Sequence, residues 1–278
     1  MNPAVRAATE VGRSVGVRSD EPVVLHETNN TVVWLSPSPV VAKVTTRRDN
    51  AAALVKEYEV ASALAARGAP VAEPLPGSRP VVHASSGFMV TLWRRLEAEP
   101  GAEPLGSVVG QSLRAVHEAM ALCEIALPDF RVGISGARRA LLDDDLMAAL
   151  GREDLAFLRR AYESLFEDVE HQAFAMQPLH GEPHDGNRIL TAAGVRWFDF
   201  ENACRGPLEW DLTFVSADVR AAFPDVDTDL LDHLSTLTSA LVATWCWVQA
   251  RFPEMRRHGE HHLELVRAGW PNGGRRRS

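Results

Sequence analysis

The spacing of the apolar residues changes once along the chain, and this change constrains the fold more than any other feature. As far as residue 93, short β-branched runs such as PVVL, TVVWL and VVAKV are divided by turn residues, a pattern typical of antiparallel strands. After residue 104, apolar residues recur at helical spacing, as in Val109, Leu113 and Val116. The chain is therefore predicted to be an α+β protein in which a β-rich part precedes a helical part.

The segment between the two patterns, RRLEAEPGAEP, is polar and contains two prolines, which favours a linker. A chain of 278 residues is long for one simple domain and short for two independent ones. We predict a small lobe over 1–93, a hinge over 94–104, a larger helical lobe over 105–270 and a flexible basic tail over 271–278.

Charge and cysteine usage limit the partners and the compartment. A net charge of −8 argues against a nucleic-acid surface, which needs clustered positive charge. The three cysteines form no CxxC motif, as expected in a reducing compartment. The first twenty residues lack the apolar run of a secretory signal, and no stretch reaches the ~18 apolar residues of a membrane span. We expect a cytoplasmic monomer or homodimer with no nucleic-acid or membrane partner.

The densest group of chemically active side chains lies in PLHGEPHDGNRIL, residues 178–190. Its skeleton is His180-x-Glu182, then four residues and Asn187, with Asp199 twelve residues later in FDFE. A protein-kinase catalytic loop has the same skeleton, except that Asp stands where this chain has Glu182. In phosphoryl transfer, one carboxylate orients the attacking hydroxyl, while a carboxamide and a second carboxylate hold Mg²⁺.

A metal cluster is an alternative interpretation of this segment. His180, Glu182 and His184 alternate as they would on one face of a strand. Pro183 and Gly186 favour a loop instead, and no zinc motif is present. The catalytic-loop interpretation is therefore preferred over a metal cluster or an ordinary surface turn.

The β-rich part supplies an ionic pair of its own. Lys43, one of only two lysines in the chain, lies on the predicted strand VVAKV. A helix is predicted to begin after the N-cap Asn50 and to end at Gly68. Glu57 is three residues after Leu54 and projects from the apolar face of this helix. Because a carboxylate on a buried stripe needs a cation, Glu57 is predicted to pair with Lys43.

These motifs together resemble the aminoglycoside phosphotransferases and their choline-kinase-like relatives, which have the protein-kinase-like fold. The matching pieces occur in family order over about residues 20–215: VVAKV, LVKEYEVASALAARGAPV, LRAVHEA, LHGEPHDGNRIL and FDFENACRGPLEWDL. The resemblance implies a bilobal fold, with a nucleotide-binding lobe of antiparallel strands and one main helix, followed by a helical lobe with the acceptor pocket. It also implies ATP or GTP and Mg²⁺ as cofactors, and a small-molecule hydroxyl as acceptor.

The resemblance assigns a role to each of the five central residues. Lys43 would bind the phosphates and Glu57 would orient Lys43. Glu182 occupies the position of the catalytic base. Asn187 and Asp199 match the two metal ligands of the family, and the resemblance also places both among the catalytic residues.

Further nucleotide-binding residues are implied by position in the lobe. The turn HETNNT takes the place of the glycine-rich phosphate loop, so Asn29, Asn30 and Thr31 are expected to contact the nucleotide, although the turn departs from the family pattern in having no glycine. Trp93, at the end of the last strand before the hinge, is included among the nucleotide-binding residues. Asp211 in GPLEWDL matches a family position that braces the catalytic loop, and His180 is expected to shape that loop by hydrogen bonding.

The acceptor region is less well defined by the sequence. Several acidic residues fall where this family builds its acceptor pocket and would suit a cationic acceptor such as an aminoglycoside, although helix caps and solvated turns explain them equally well; they are Asp218, Asp225, Asp227, Asp229 and Asp232. Trp245 and Trp247 lie on opposite sides of their predicted helix, and Trp245 is expected in the core. The cluster HGEHH, residues 258–262, is interpreted as a solvated helix turn.

The departure at Glu182 leaves two functions open. Glu is one methylene longer than Asp, and a carboxylate displaced by roughly 1 Å can lower the rate on the order of 100-fold. The chain is either an active small-molecule kinase or a nucleotide-binding pseudokinase with a regulatory or scaffolding role. Asp185, which stands where the family usually has Pro, is an alternative base. A protein Ser/Thr kinase is disfavoured because no long activation segment follows Asp199.

Overall fold

The structure is a computed structural model, and it describes residues 2–27, 30–46 and 50–270. The chain divides into two compact units that interleave in sequence. Unit 1 contains residues 1–126, 180–203 and 216–222, and unit 2 contains residues 127–179, 204–215 and 223–278. The predicted basic tail over 271–278 lies outside the described residues, and the predicted lobe boundaries stay a prediction.

Unit 1 is built around an antiparallel sheet. Its regular elements are α1 (Pro3–Ser14), β1 (Val23–Glu27), β2 (Asn30–Trp34), β3 (Val40–Thr45), α2 (Ala51–Ala65), β4 (Val81–Val82), β5 (Met89–Arg94), α3 (Gly106–Ala121), β7 (Arg188–Thr191), β8 (Gly194–Trp197) and α7 (Ala217–Arg220). The five-stranded sheet has the order β1-β2-β3-β5-β4. Its register places Lys43 of β3 opposite Val32 of β2 and Thr91 of β5. Lys43 therefore stands on the central strand of the sheet.

Helix α1 packs against this sheet and was not predicted. Asn2 caps it, since its Oδ1 accepts a hydrogen bond of 2.8 Å from the backbone N–H of Ala4, and Pro3 begins the helix. Its buried face, which includes Val5 and Val11, joins the apolar residues of β2, β3 and β5 in one core.

Helix α2 confirms the predicted buried stripe, because Leu54, Glu57, Ala61 and Leu64 are all buried. It begins at Ala51, so Asn50 is the N-cap residue as predicted, although its side chain makes no capping hydrogen bond. The helix packs on β5 and on the short 3-10 turn formed by residues 200–202.

The hairpin of β7 and β8 directly follows the catalytic-loop residues 180–187 and is attached to the rest of unit 1 through Trp197. The backbone N–H of Trp197 donates to the carbonyl of Pro70, and its own carbonyl accepts from Ala72. The buried indole donates through Nε1 to Ser112 Oγ of α3 at 2.9 Å. The residues after β8 are therefore tied to both the β-rich and the helical parts of unit 1.

Unit 2 is mainly helical. Its regular elements are α4 (Arg131–Leu141), α5 (Arg152–Glu170), β6 (Gln177–Leu179), β9 (Cys204–Gly206), α6 (Leu208–Leu212), α8 (Thr228–Val248) and α9 (Pro253–Gly269). Strands β6 and β9 pair antiparallel. Helices α4, α5, α8 and α9 contribute most of its apolar core.

The long helix α8 corrects one prediction. Trp247 lies in the core with 7% of its surface exposed, whereas Trp245 is 40% exposed. The prediction of a core position for Trp245 is wrong because the buried face of α8 runs through Leu231, Leu234 and Leu237, and Trp245 is rotated away from it.

The predicted α+β class is confirmed by the antiparallel sheet of unit 1 and the helices of both units. Within the described ranges, no helix combines the length and the apolar character that crossing a membrane requires. Cys123, Cys204 and Cys246 form no disulfide.

Candidate active site

One ammonium group and three carboxylates meet in unit 1. Lys43 Nζ lies 2.8 Å from Glu57 Oε2, 2.7 Å from Asp199 Oδ1 and 3.5 Å from Glu201 Oε2. The four residues come from β3, from α2 and from the segment that follows β8. The predicted pairing of Lys43 with Glu57 is thus present, and Lys43 also joins Glu57 to Asp199.

The charges of this group depend on one another. Burial alone lowers the pKa of Lys43, but Glu57, Asp199 and Glu201 outweigh that effect and raise it, so the ammonium stays charged. Burial raises the pKa of the Glu57 carboxyl, and the Lys43 ammonium acts against this rise. Carboxylates outnumber the ammonium three to one, so the group has an excess of negative charge.

Asp199 is held in an unusual backbone conformation. Its φ of 67° makes it the one non-glycine residue with a positive φ in the described part of the chain. Such a conformation costs of order 1–3 kcal/mol and persists only where neighbouring contacts enforce it. Here the ion pair with Lys43 holds the side chain, and the 3-10 turn of residues 200–202 follows at once.

The segment 180–187 forms a loop that is fixed mostly through its backbone. His180 is fully buried, and its Nε2 lies 3.1 Å from the Phe198 carbonyl. Its Nδ1 accepts from the N–H of Glu182 at 3.4 Å. Asn187 Nδ2 donates to the Glu182 carbonyl at 2.9 Å. Both ring nitrogens of His180 therefore serve the loop's shape, in keeping with the hydrogen-bonding role expected for it.

The Glu182 carboxylate is held at one oxygen. Asn202 Nδ2 donates to Glu182 Oε2 at 2.7 Å, and His184 Nε2 lies 3.8 Å from Oε1, beyond hydrogen-bonding range. The Glu182 side chain keeps 35% of its surface exposed. Burial raises its pKa to about 7, while the Asn202 hydrogen bond acts in the opposite direction.

The remaining predicted nucleotide-binding residues fall in different surroundings. Asn30 and Thr31 are buried on β2, and Asn30 Nδ2 donates to Glu201 Oε2 at 3.0 Å. Trp93 donates from Nε1 to Thr91 Oγ1 at 2.9 Å, and its ring meets Tyr58 edge-on at 5.9 Å. Asn29 lies outside the described residues. Nucleotide contacts of these side chains stay a prediction.

Two residues of the site were not predicted. Glu201 joins the Lys43 group, and Asn202 contacts Glu182. The feature of the sequence that could have indicated them is the segment Asp199-Phe-Glu-Asn, in which polar residues flank Phe200 directly after a strand. The turn of residues 200–202 sends these side chains to different partners, which sequence spacing alone does not give.

The donor set fits a hard divalent cation. Oxygen atoms of Glu57, Asp199 and Glu201 all lie within 4.8 Å of one another, and Mg²⁺ prefers oxygen ligands and carboxylates. Because Asn187 Nδ2 is hydrogen-bonded to a carbonyl, Oδ1 is the atom of that side chain with lone pairs to offer a cation.

The alternative interpretations of the loop gain no support. Across residues 2–27, 30–46 and 50–270, the group around Asp199 is the one found that could hold a metal, and it includes no histidine. Asp185 is exposed and forms an ion pair of 2.8 Å with Arg188. Asp211 is completely buried in unit 2, and its predicted bracing role stays a prediction.

A strand lysine, a helix glutamate and an Asp-containing segment after a β-hairpin are the combination expected of a kinase-like phosphotransferase site. The sequence profile of the phosphotransferase enzyme family (APH) matches residues 22–245. The chain belongs to this family, which confirms the resemblance inferred from its motifs and the expected class of enzyme, a phosphotransferase. A search of curated protein sequences gave no match.

Solved structures of similar fold include several enzymes of this kind. The GDP and kanamycin complex of APH(2")-IIia is 14% identical, covering 94% of this chain and 98% of that one with a TM-score of 0.69. The amicoumacin kinase hAmiN with AMP-PNP, Ca²⁺ and Ami is 12% identical, covering 96% of each chain with a TM-score of 0.70. Choline kinase LicA from Streptococcus pneumoniae is 13% identical, covering 96% and 98% with a TM-score of 0.69. At this identity the likeness establishes the fold, and the predicted protein-kinase-like architecture is confirmed.

Gly181 provides a test of the loop's close packing. A Cβ at Gly181 would lie 1.9 Å from the Asn202 carbonyl oxygen, whereas a Cβ at Gly194 would meet nothing within 4 Å; both glycines have a φ of 93°. Gly194→Ala should therefore cost only the conformational strain, about 1–2 kcal/mol. Gly181→Ala should cost more, because the backbone of residues 181 and 202 must separate.

Chemical denaturation of the two variants measures this difference. Equal losses of unfolding free energy for Gly181→Ala and Gly194→Ala would show that the contact between the loop and Asn202 is absent.

Proposed function

We propose that the protein is a small-molecule kinase that transfers the γ-phosphate of ATP or GTP to a hydroxyl group of its acceptor. The observation that carries this proposal is that Lys43, Glu57, Asp199, Asn187 and Glu182 all belong to unit 1, with Lys43 and Asp199 in direct contact. Phosphoryl transfer needs little covalent chemistry from the protein and depends on positioning and charge neutralisation.

In this proposal, Lys43 binds the nucleotide phosphates and Glu57 keeps its ammonium charged and in place. Asp199, through the carboxylate oxygen that Lys43 does not take, and Asn187, through Oδ1, hold Mg²⁺. When bound by these residues, the cation would supply the charge neutralisation that phosphoryl transfer requires. Asp199, in its left-handed backbone conformation, contacts Lys43 through one carboxylate oxygen. The residue proposed to hold the cation therefore also positions the lysine proposed to bind the phosphates.

Glu182 accepts a hydrogen bond from the acceptor hydroxyl and orients it for attack. Its carboxylate is partly exposed and keeps Oε1 clear of a close hydrogen bond from His184, at 3.8 Å. Since Asn202 donates its hydrogen bond to Oε2 of Glu182, we assign Oε1 to the acceptor hydroxyl.

The acceptor we propose is a small cationic alcohol, with an aminoglycoside or another antibiotic as the first candidate. Support comes from the proteins of similar structure, one in complex with kanamycin, one an amicoumacin kinase and one a choline kinase. The chain's net charge of −8 favours a cationic ligand. Such a reaction would make the protein an antibiotic-resistance enzyme of the cytoplasm, where cysteines remain outside disulfides.

A nucleotide-binding pseudokinase is the second candidate, and Glu182 is the observation that favours it. If the longer side chain cannot orient a hydroxyl, the Lys43 group would still bind nucleotide. The protein would then act through the nucleotide-bound state on another protein.

The two candidates differ in product formation. We expect purified protein with Mg²⁺ and ATP or GTP to phosphorylate a member of a panel of aminoglycosides, macrolides, choline and amino alcohols, detected by ³¹P NMR as a new phosphate ester. Nucleotide binding with no ester for any acceptor would select the pseudokinase.

A charge-removing substitution tests the role of Glu182. Glu182→Gln retains the length of the side chain and an oxygen for Asn202, but removes the carboxylate charge. We expect phosphoryl transfer to fall roughly 100-fold or more, with nucleotide affinity unchanged. Asp185→Asn, which makes the same change at the exposed neighbouring acid, should leave transfer intact.

Kinetics and calorimetry on both variants provide the measurement. Loss of transfer in Asp185→Asn with retention in Glu182→Gln would reassign the base to Asp185.

A further inference from the structure

The chain has a glutamate where the kinase catalytic loop has an aspartate, and the structure supplies a partner for the longer side chain. Asn202 Nδ2 donates to Glu182 Oε2 at 2.7 Å. A hydrogen bond to a carboxylate is charge-assisted, so it is shorter and stronger than one between neutral groups. This contact joins the catalytic loop to the 3-10 turn after Asp199.

The backbone of Asn202 is held in place by its neighbours. Its carbonyl lies so close to Gly181 that a Cβ there would be 1.9 Å away. The next residue, Ala203, donates from its N–H to the Phe200 carbonyl at 3.0 Å and accepts from Lys56 Nζ at 3.1 Å. A side chain on such a braced backbone can fix the position of its partner.

We propose that Asn202 is a positioning residue that adapts this site to glutamate, holding Glu182 Oε2 so that Oε1 is presented to the acceptor hydroxyl. This inference rests on the proposed function. Without Asn202, the extra methylene would give the carboxylate additional rotamers, and only some of them would place an oxygen at the hydroxyl.

The match is specific to the length of the side chain. An aspartate at position 182 would withdraw the carboxylate by about 1 Å, and a contact of 2.7 Å lengthened by that amount exceeds the usual range of an N–H···O hydrogen bond, about 2.7–3.2 Å. Asn202 therefore contributes to positioning only when residue 182 is a glutamate.

The loop backbone does not depend on this contact. His180 Nδ1 accepts from the Glu182 N–H, and Asn187 Nδ2 donates to the Glu182 carbonyl. Removing the Asn202 amide should therefore release the carboxylate while the backbone of the loop and the Lys43 group stay in place.

A double-mutant cycle and crystal structures test the proposal. We expect Asn202→Ala to lower kcat roughly 10- to 100-fold, with the KM for nucleotide unchanged. In the Glu182→Asp background, the same change should have almost no effect on kcat. Gln172→Ala, which removes an exposed amide in unit 2, is the matched control and should behave as wild type.

The crystal structure of the Asn202→Ala variant gives a result that needs no acceptor. We expect the Glu182 carboxylate to leave its wild-type position while the backbone of residues 180–187 is unchanged. An unmoved carboxylate, or an equal kcat loss in both backgrounds, would overturn the proposal. A displaced carboxylate in a protein that phosphorylates no acceptor would uphold the positioning role and refute the proposed function.

Discussion

The ion pairs of Lys43 are the interaction on which the rest of the active site depends. Lys43 stands on the central strand β3, and it contacts Glu57 of α2 and Asp199 after β8. Buried charges are tolerated only when they are paired, and removing one partner of a buried pair typically costs 3–5 kcal/mol. The lysine thus connects strand, helix and catalytic hairpin. In the proposed function, a divalent cation and the nucleotide phosphates bind at this group.

Two backbone constraints act at the site in addition to the ion pairs of Lys43. Asp199 is in the left-handed region, and Gly181 approaches the Asn202 carbonyl at a distance that excludes any side chain. Strained or glycine-dependent conformations of this kind cluster at functional sites because the surrounding structure enforces them. On this backbone, the Lys43 ammonium holds the Asp199 carboxylate and the Asn202 amide holds that of Glu182 before any ligand arrives. Preorganisation of this kind is what electrostatic catalysis requires.

Much of the fold and the site could be predicted because they follow from local sequence patterns. The alternation in VVAKV and the apolar spacing around Glu57 place both side chains inside, where they must pair. What could not be predicted depends on contacts between distant segments. Asn202 meets Glu182 only because Gly181 lets two backbones approach, and Trp245 lies outside the core because the packing of α8 selects the opposite face.

Helix α1 is a different case. Asn2 and Pro3 form a start signal, and the buried residues have helical spacing. This helix signal is local, and the absence of a secretory signal in the same segment does not bear on it. Glu201 could not be predicted because the residues after Asp199 form a 3-10 turn and not a strand, so strand spacing does not say where its side chain lies.

In the proposed function, the Lys43 group binds a nucleotide together with a divalent cation. Isothermal titration calorimetry of ATP and GTP, with Mg²⁺ and with EDTA, tests it most directly. Asp199→Asn is the informative variant, and Asp144→Asn, at a highly exposed residue, is its control. We predict that Mg²⁺ strengthens nucleotide binding in the wild type and the control, and that Asp199→Asn abolishes this dependence. Equal affinities with and without Mg²⁺ in the wild type would contradict the account.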